Sequence, residues 1–283
     1  MYQQYRPAQF NQLPVVVKNL LIINGLFFAA KYIFMQSFGR DVLTEKLGLH
    51  FPLSDNFHWY QFITYQFMHG NFWHILFNMI AVWMFGFRLE NIWGPKRFLT
   101  FYLICGLGAA LIHMGWIGYQ IVPATEPVRE FLSNPELGAF EELANNYNFP
   151  GINPPEWAMS NVEEIRHLAL IGQKEAALES AIGFCNEYVD AIFGSQVVVG
   201  ASGALFGILI AFGMLFPNTE MMMFGLFIPM KAKYVVIIYG AMEILQAVSN
   251  RPGDYVAHVA HLGGMVFGFI LVKIYQRNRT TFY

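Results

Sequence analysis

Gly200-Ala201-Ser202-Gly203 opens an apolar run from Ala204 to Phe216 (ALFGILIAFGMLF). Small neighbours let other backbone, and a substrate, come close to the Ser202 hydroxyl. Unpaired N–H groups cluster at such a helix start, where they can donate to a developing negative charge. The same G-x-S-G pattern serves helix packing, which in membrane proteins at large is its commoner use. To do chemistry the serine needs a base, and that base must come from another segment.

Two further segments carry suitable groups. In Ala260-His261-Leu262-Gly263-Gly264-Met265-Val266-Phe267-Gly268 a histidine begins an apolar stretch. Gly264 and Gly268 there form a G-x-x-x-G that lets two helices approach almost backbone to backbone. Ionisable side chains inside a bilayer are costly, so a histidine so placed is a functional candidate. In His74-Ile75-Leu76-Phe77-Asn78 the two polar residues are four apart and share one helix face. A buried structural histidine and an interhelical hydrogen bond are their plainer uses. A serine, a histidine and a polar His/Asn face on three apolar segments are together the ingredients of an acyl-transfer site.

The elements that must position these groups are membrane helices. Of 283 residues, 55% are hydrophobic and only 13% charged, well below the usual charged share of about a quarter. Several apolar runs reach or approach the roughly 20 residues a span requires. The pattern is that of an all-α, polytopic membrane protein, with spans expected at 16–38, 72–88, 98–121, 202–217, 233–248 and 256–275. The first apolar stretch has no cleavage site and is expected as a retained helix after a polar tail. Lys31 within it is expected to reach toward an interface. Glu90, beside the basic turn of Arg88, Lys96 and Arg97, is expected to cap or pair locally, and Glu243 to lie near a helix end with a polar partner, a proton-handling role being its alternative. Cys105 and Cys185 suggest no disulfide framework.

Residues 122–197 depart from this pattern. Twelve acidic residues against Arg129, Arg166 and Lys174 give a local net charge of −9. Pro123 and the stretch 149–155 are expected to break the segment, leaving helices at 125–146 and 160–192. Ser160-Asn161-Val162-Glu163 offers a capping-box start for the second. A small helical hairpin lying on the membrane helices is expected, either a tolerated loop expansion or a gate for substrates.

In the order and spacing of these motifs the chain resembles the rhomboid family of intramembrane serine proteases. The resemblance rests on Gly200-Ala201-Ser202-Gly203, on His261 with Gly264 and Gly268, and on His74 with Asn78. The run from His69 to Asn78 and Glu90 followed by Gly94 add to it. It implies a six-helix bundle with an acidic extracytoplasmic helical insertion between helices 3 and 4. The chain then divides into a tail (1–15), helices 1–3 with an embedded first loop (16–121), the insertion (122–197), helices 4–6 (198–276) and a second tail (277–283). Where relatives often carry a Trp-Arg pair before the second helix, this chain has Tyr60-Gln61.

The resemblance also implies a site. Ser202 would be the nucleophile and His261 the base: the family pattern A-H-x-x-G-x-x-x-G fits Ala260-His261, whereas a start at His258 puts His261 and Met265 where glycines should stand. His74, Asn78 and the Ser202 backbone N–H would form the oxyanion hole, with His69 structural. Gly200, Gly203, Phe206, Gly264 and Gly268 would support them, Phe206 by packing on the imidazole. No acidic third member is expected, since Asp254 lies in a loop, so the pair is read as a dyad without cofactor or metal. The implied partners are transmembrane protein substrates and the lipid bilayer, with no nucleic acid. Counting Lys and Arg in the short loops sets both termini on the cytoplasmic side, and a bacterial cytoplasmic membrane is the expected home.

Two other classes stand beside this reading. One is a non-proteolytic relative that binds membrane clients; such proteins typically lose the serine or the histidine, and both are present here. The other is a transporter or metal permease built on His69, His74, His258 and His261. Metal sites usually set carboxylates or thiolates beside the histidines, and neither cysteine is placed for it.

Overall fold

The computed structural model describes residues 13–146, 156–222, 229–249 and 256–277; Asp254, weighed above as a third site member, lies outside the described residues. The longer helices are α1 (Val15–Phe38), α2 (Phe72–Trp93), α3 (Pro95–Ser133), α4 (Leu137–Asn146), α5 (Glu156–Leu170), α6 (Lys174–Gly194), α7 (Ser202–Leu215), α8 (Ala232–Ser249) and α9 (His258–Arg277). The described strands are short, the longest pairing being Glu220–Met222 antiparallel with Pro229–Lys231. This is an all-α, polytopic membrane protein. By length and composition α1, α2, α3, α8 and α9 can each cross a bilayer. α7 has 14 residues, about 21 Å of helix against a hydrocarbon core of about 30 Å.

Residues 1–48, 60–113 and 198–283 form one compact unit, and residues 49–59 with 114–197 a second. At the centre of the first unit stands α7. It is apolar all round, and Gly203, Ala204, Leu205, Gly207, Ile208, Leu209, Ala211, Phe212 and Gly213 are all buried, as expected of a helix enclosed by others. Its small residues are what admit the neighbours. A Cβ on Gly264 of α9 would run into the Gly203 carbonyl, and one on Gly268 would stand 2.8 Å from Gly207 Cα. On the α3 side, a Cβ on Gly203 would meet Ala109 at 2.6 Å and one on Gly207 would meet Cys105 Sγ at 2.5 Å. The G-x-x-x-G of α9 thus sits against the backbone of α7 and fixes the relative height of Ser202 and His261.

Two charged side chains on the spans find partners far along the chain. Glu90 does not pair locally: its carboxylate accepts the N–H of Val16 at 2.9 Å and of Val17 at 2.8 Å. Pro14, which precedes α1, has no side chain able to cap it. The first-turn N–H groups lack intrahelical acceptors, and the positive end of the helix favours a carboxylate. Lys31 likewise does not reach out to an interface but is buried. Its ammonium donates to the carbonyls of His69 at 3.0 Å and Gly70 at 3.2 Å, and pairs with Asp41 at 2.9 Å. Three oxygens around one ammonium make an enclosed position tolerable.

The insertion differs in detail from expectation. α3 does not stop near residue 121 but continues through Pro123 and Pro127 to Ser133, 39 residues in all. Each proline removes one N–H from the ladder, and Thr125 adds a side-chain bond to the Val122 carbonyl at 3.0 Å. The expected helix at 160–192 is two helices. α5 begins at Glu156, so Ser160 lies inside it rather than at its cap. α5 ends in a Schellman turn, with Gly172 at φ +86°, its N–H on Ala169 O and the Gln173 N–H on Leu168 O. Only glycine takes that backbone without strain. Within this unit Phe131, Phe140, Phe184 and Tyr188 build an aromatic core. Arg166 bridges Glu141 at 3.0 Å and Asn145 at 2.7 Å. Burial pushes the free Cys185 thiol up to about 12.

Candidate active site

Ser202 is the first residue of α7, and its Oγ lies 2.9 Å from Nε2 of His261 near the start of α9. The two residues are 59 apart in sequence, and the glycine contacts between α7 and α9 bring them level. Phe206, one turn beyond Ser202, stacks flat on the imidazole with ring centroids 4.3 Å apart and planes 9° from parallel. That contact restrains the ring in the rotamer that faces the hydroxyl. Ser202 is half-buried and His261 buried.

On the other side of Ser202 stands His74. Gly200 has φ +126°, and a Cβ there would meet Nε2 of His74 at 2.7 Å and Ser202 Oγ at 3.6 Å. A glycine is therefore required on both conformational and steric grounds. The Gly200 N–H is held by the Tyr65 carbonyl at 2.9 Å, and the Tyr65 hydroxyl donates to Gly106 O at 2.7 Å. Tyr65 was not foreseen; nothing in its local sequence marks it. Asn71 caps α2 by accepting the His74 N–H at 2.9 Å.

Asn78 is on the same helix but its amide contacts Nε2 of the loop residue His69 at 3.0 Å. Burial, with the neighbouring His74, pushes the His69 imidazole down to about 3, so it is neutral at ordinary pH and accepts from Asn78. The Asn78 amide then has one N–H in hand. His69 thus links the loop to α2 through its side chain. Its ring also meets that of His74 edge-on at 5.0 Å, while its carbonyl is held by Lys31.

A carboxylate beside His261 was not foreseen. Glu243 of α8 places Oε2 3.0 Å from Nδ1 of His261 and 2.6 Å from Nδ1 of His258. Its approach to His261 is off the line of the ring N–H, so that nitrogen, though buried, has no aligned hydrogen-bond partner. His258, three residues before His261, orients the carboxylate. The signal available in sequence was the lone carboxylate in an apolar helix. Serine hydroxyl, imidazole and carboxylate thus stand in succession, with the imidazole between the other two. The same contact also supplies the carboxylate that the all-histidine metal reading lacked.

The family model described as the Rhomboid domain matches residues 56–122 and 171–278, more than half of the chain. Over 256 residues the chain is 22% identical to Rhomboid protein 1, mitochondrial, of Saccharomyces cerevisiae, covering 89% of this chain and 49% of that protein. It is 33% identical over 63 residues to Rhomboid protease AarA of Providencia stuartii, 22% of each chain. With RHOMBOID-like protein 12, mitochondrial, of Arabidopsis thaliana it shares 31% over 133 residues, 44% of this chain and 37% of that protein. It spans about half the length of the first of these relatives and less of the other two. Helices apolar enough for a bilayer, the glycine-mediated seating of α9 on α7 and the extended match to the Rhomboid domain agree: the chain belongs to the rhomboid family.

Proposed function

We propose that the chain is an intramembrane serine endopeptidase acting on transmembrane protein substrates. The observation that carries the reading is the 2.9 Å contact between Ser202 Oγ and His261 Nε2. In this mechanism His261 takes the proton of Ser202 as Oγ attacks the scissile carbonyl, then gives it to the leaving amine as the acyl-enzyme forms. Water, activated by the same imidazole, releases the acyl group. The oxyanion is met by the Ser202 N–H at the start of α7, by His74 and by the N–H of Asn78 not engaged with His69. Glu243 stabilises the imidazolium that forms, which makes the working group a serine–histidine–glutamate arrangement rather than a bare pair.

The same reading takes α7 as the fourth of six spans, both termini as cytoplasmic and residues 122–197 as an extracytoplasmic insertion. A bacterial cytoplasmic membrane is one home for such a chain. The mitochondrial names among its relatives favour a mitochondrial membrane as the other. A non-proteolytic client-binding protein is the rival, and retention of both Ser202 and His261 weighs against it.

The test is labelling of purified protein by a fluorophosphonate probe alongside cleavage of a model transmembrane substrate. Wild type is expected to label and cleave, and Ser202→Ala and His261→Ala to do neither. Folded wild type that neither labels nor cleaves in any lipid would leave the client-binding reading in its place.

A further inference from the structure

We propose that Glu243, His258 and His261 form a binding site for a divalent transition-metal ion, Zn²⁺ by preference, and that the bound ion switches the enzyme off. The three donor atoms lie within 4.8 Å of one another, and all three residues are buried. Two imidazole nitrogens and one carboxylate are a set that Zn²⁺ accepts in open, three-ligand sites. Mg²⁺ and Ca²⁺, which favour oxygen ligands, would gain little from it.

The geometry is close to what the ion requires. Ligands at about 2.0–2.2 Å in a tetrahedral shell stand about 3.3 Å from one another. Oε2 is now 2.6 Å from His258 Nδ1 and 3.0 Å from His261 Nδ1, so the carboxylate need withdraw from them by only about 0.7 and 0.3 Å, with all three donors already within 4.8 Å of one another. The His258 contact is an exchangeable hydrogen bond, and the buried Nδ1 of His261 has no aligned partner to give up.

Inhibition follows from the tautomer. A neutral imidazole that ligates through Nδ1 carries its proton on Nε2. Nε2 then donates toward Ser202 Oγ instead of accepting from it, and no base remains for the serine. The metal and the Nδ1 proton thus compete for one lone pair, so the site is an off-switch rather than a cofactor site. The inhibitory half of the proposal rests on the serine-protease reading; the binding half does not.

The test separates the two. Zn²⁺ is titrated calorimetrically, and Co²⁺ by its visible absorption, into Ser202→Ala protein, and into the same background with His258→Ala, Glu243→Ala or both. One ion per chain is expected, weakened at least tenfold by either substitution and lost with both. Wild type is then labelled with the fluorophosphonate probe with and without Zn²⁺, and after chelation. Labelling is expected to fall with Zn²⁺ occupancy and to return with the chelator. No stoichiometric binding, or binding retained in the double variant, overturns the site. Binding that leaves labelling of wild type intact overturns the switch. Binding in a wild type that never labels would keep the site and instead remove the protease reading.

Discussion

Glu243 Oε2 stands 3.0 Å from Nδ1 of His261, on the far side of the ring from the 2.9 Å contact between Nε2 and Ser202. The imidazole is therefore held between a hydroxyl, which in the proposed mechanism loses its proton, and a carboxylate that would favour the charged ring. Glu243→Gln keeps the shape and removes the charge. It should lower kcat on the order of 10- to 100-fold, about 1.4–2.7 kcal/mol of barrier, with little change in KM. Steady-state cleavage in reconstituted bilayers measures both. A rise in KM at constant kcat would mean that Glu243 shapes substrate binding and not the base.

The oxyanion reading of α2 has a distinct signature. His74→Ala removes one donor and should reduce kcat by roughly 10²–10³-fold while leaving thermal stability almost unchanged. Asn78→Ala should lose activity and stability together, because His69 then keeps a buried nitrogen without its donor. Turnover and thermal midpoint, read on the same preparations, distinguish the two. Equal stability losses in both would make His74 a packing residue.

What could be read from the sequence was local. Ser202 with its small neighbours, the A-H-x-x-G-x-x-x-G around His261, and His74 with Asn78 each occupy one turn or two of a single helix. Their mutual distance follows once the glycines of α9 are seated on α7. Lys31, Glu90 and Glu243 each have partners distant in sequence, among them His69, Val17 and His258 at 38, 73 and 15 residues. No periodicity links such pairs, so the sequence marks the charge but not its counterpart. Pro123 misled differently. Proline removes a single N–H, and α3 carries on past it to Ser133, so a breaker residue can overstate the number of ends.

The clamp on the first loop carries a pH dependence. Burial alone would raise the Asp41 carboxyl, but hydrogen bonds from Lys31 and Thr44 outweigh it and hold the group below its ordinary 3.8. A carboxyl with a depressed folded value binds more protons unfolded than folded as pH falls through that range. Its stabilisation is thus complete above about pH 4 and is lost on acidification below it. Asp41→Asn should flatten this part of the stability–pH curve and lower stability at neutral pH. Denaturant unfolding of both proteins between pH 3 and pH 7, each value about a unit apart, provides the comparison. Parallel curves would rule the clamp out as a pH-linked contribution.

Glu90 offers the cleanest separation of fold from function. Its two oxygens take the N–H groups of Val16 and Val17 and touch none of Ser202, His261 or His74, so its effect should be on α1 alone. Glu90→Gln can still accept one of the two bonds but loses the charge at the positive end of the helix. Glu90→Ala loses both bonds and leaves buried donors unmet. Stability should therefore fall by about 0.5–1 kcal/mol for the glutamine variant and by about 2 kcal/mol for alanine. Fluorophosphonate labelling per folded molecule at low temperature should remain that of wild type. Thermal denaturation in micelles gives the first quantity and labelling the second. Labelling that dropped in step with the loss of charge, at temperatures where the protein stays folded, would instead tie the N-terminus of α1 to the setting of the active-site helices.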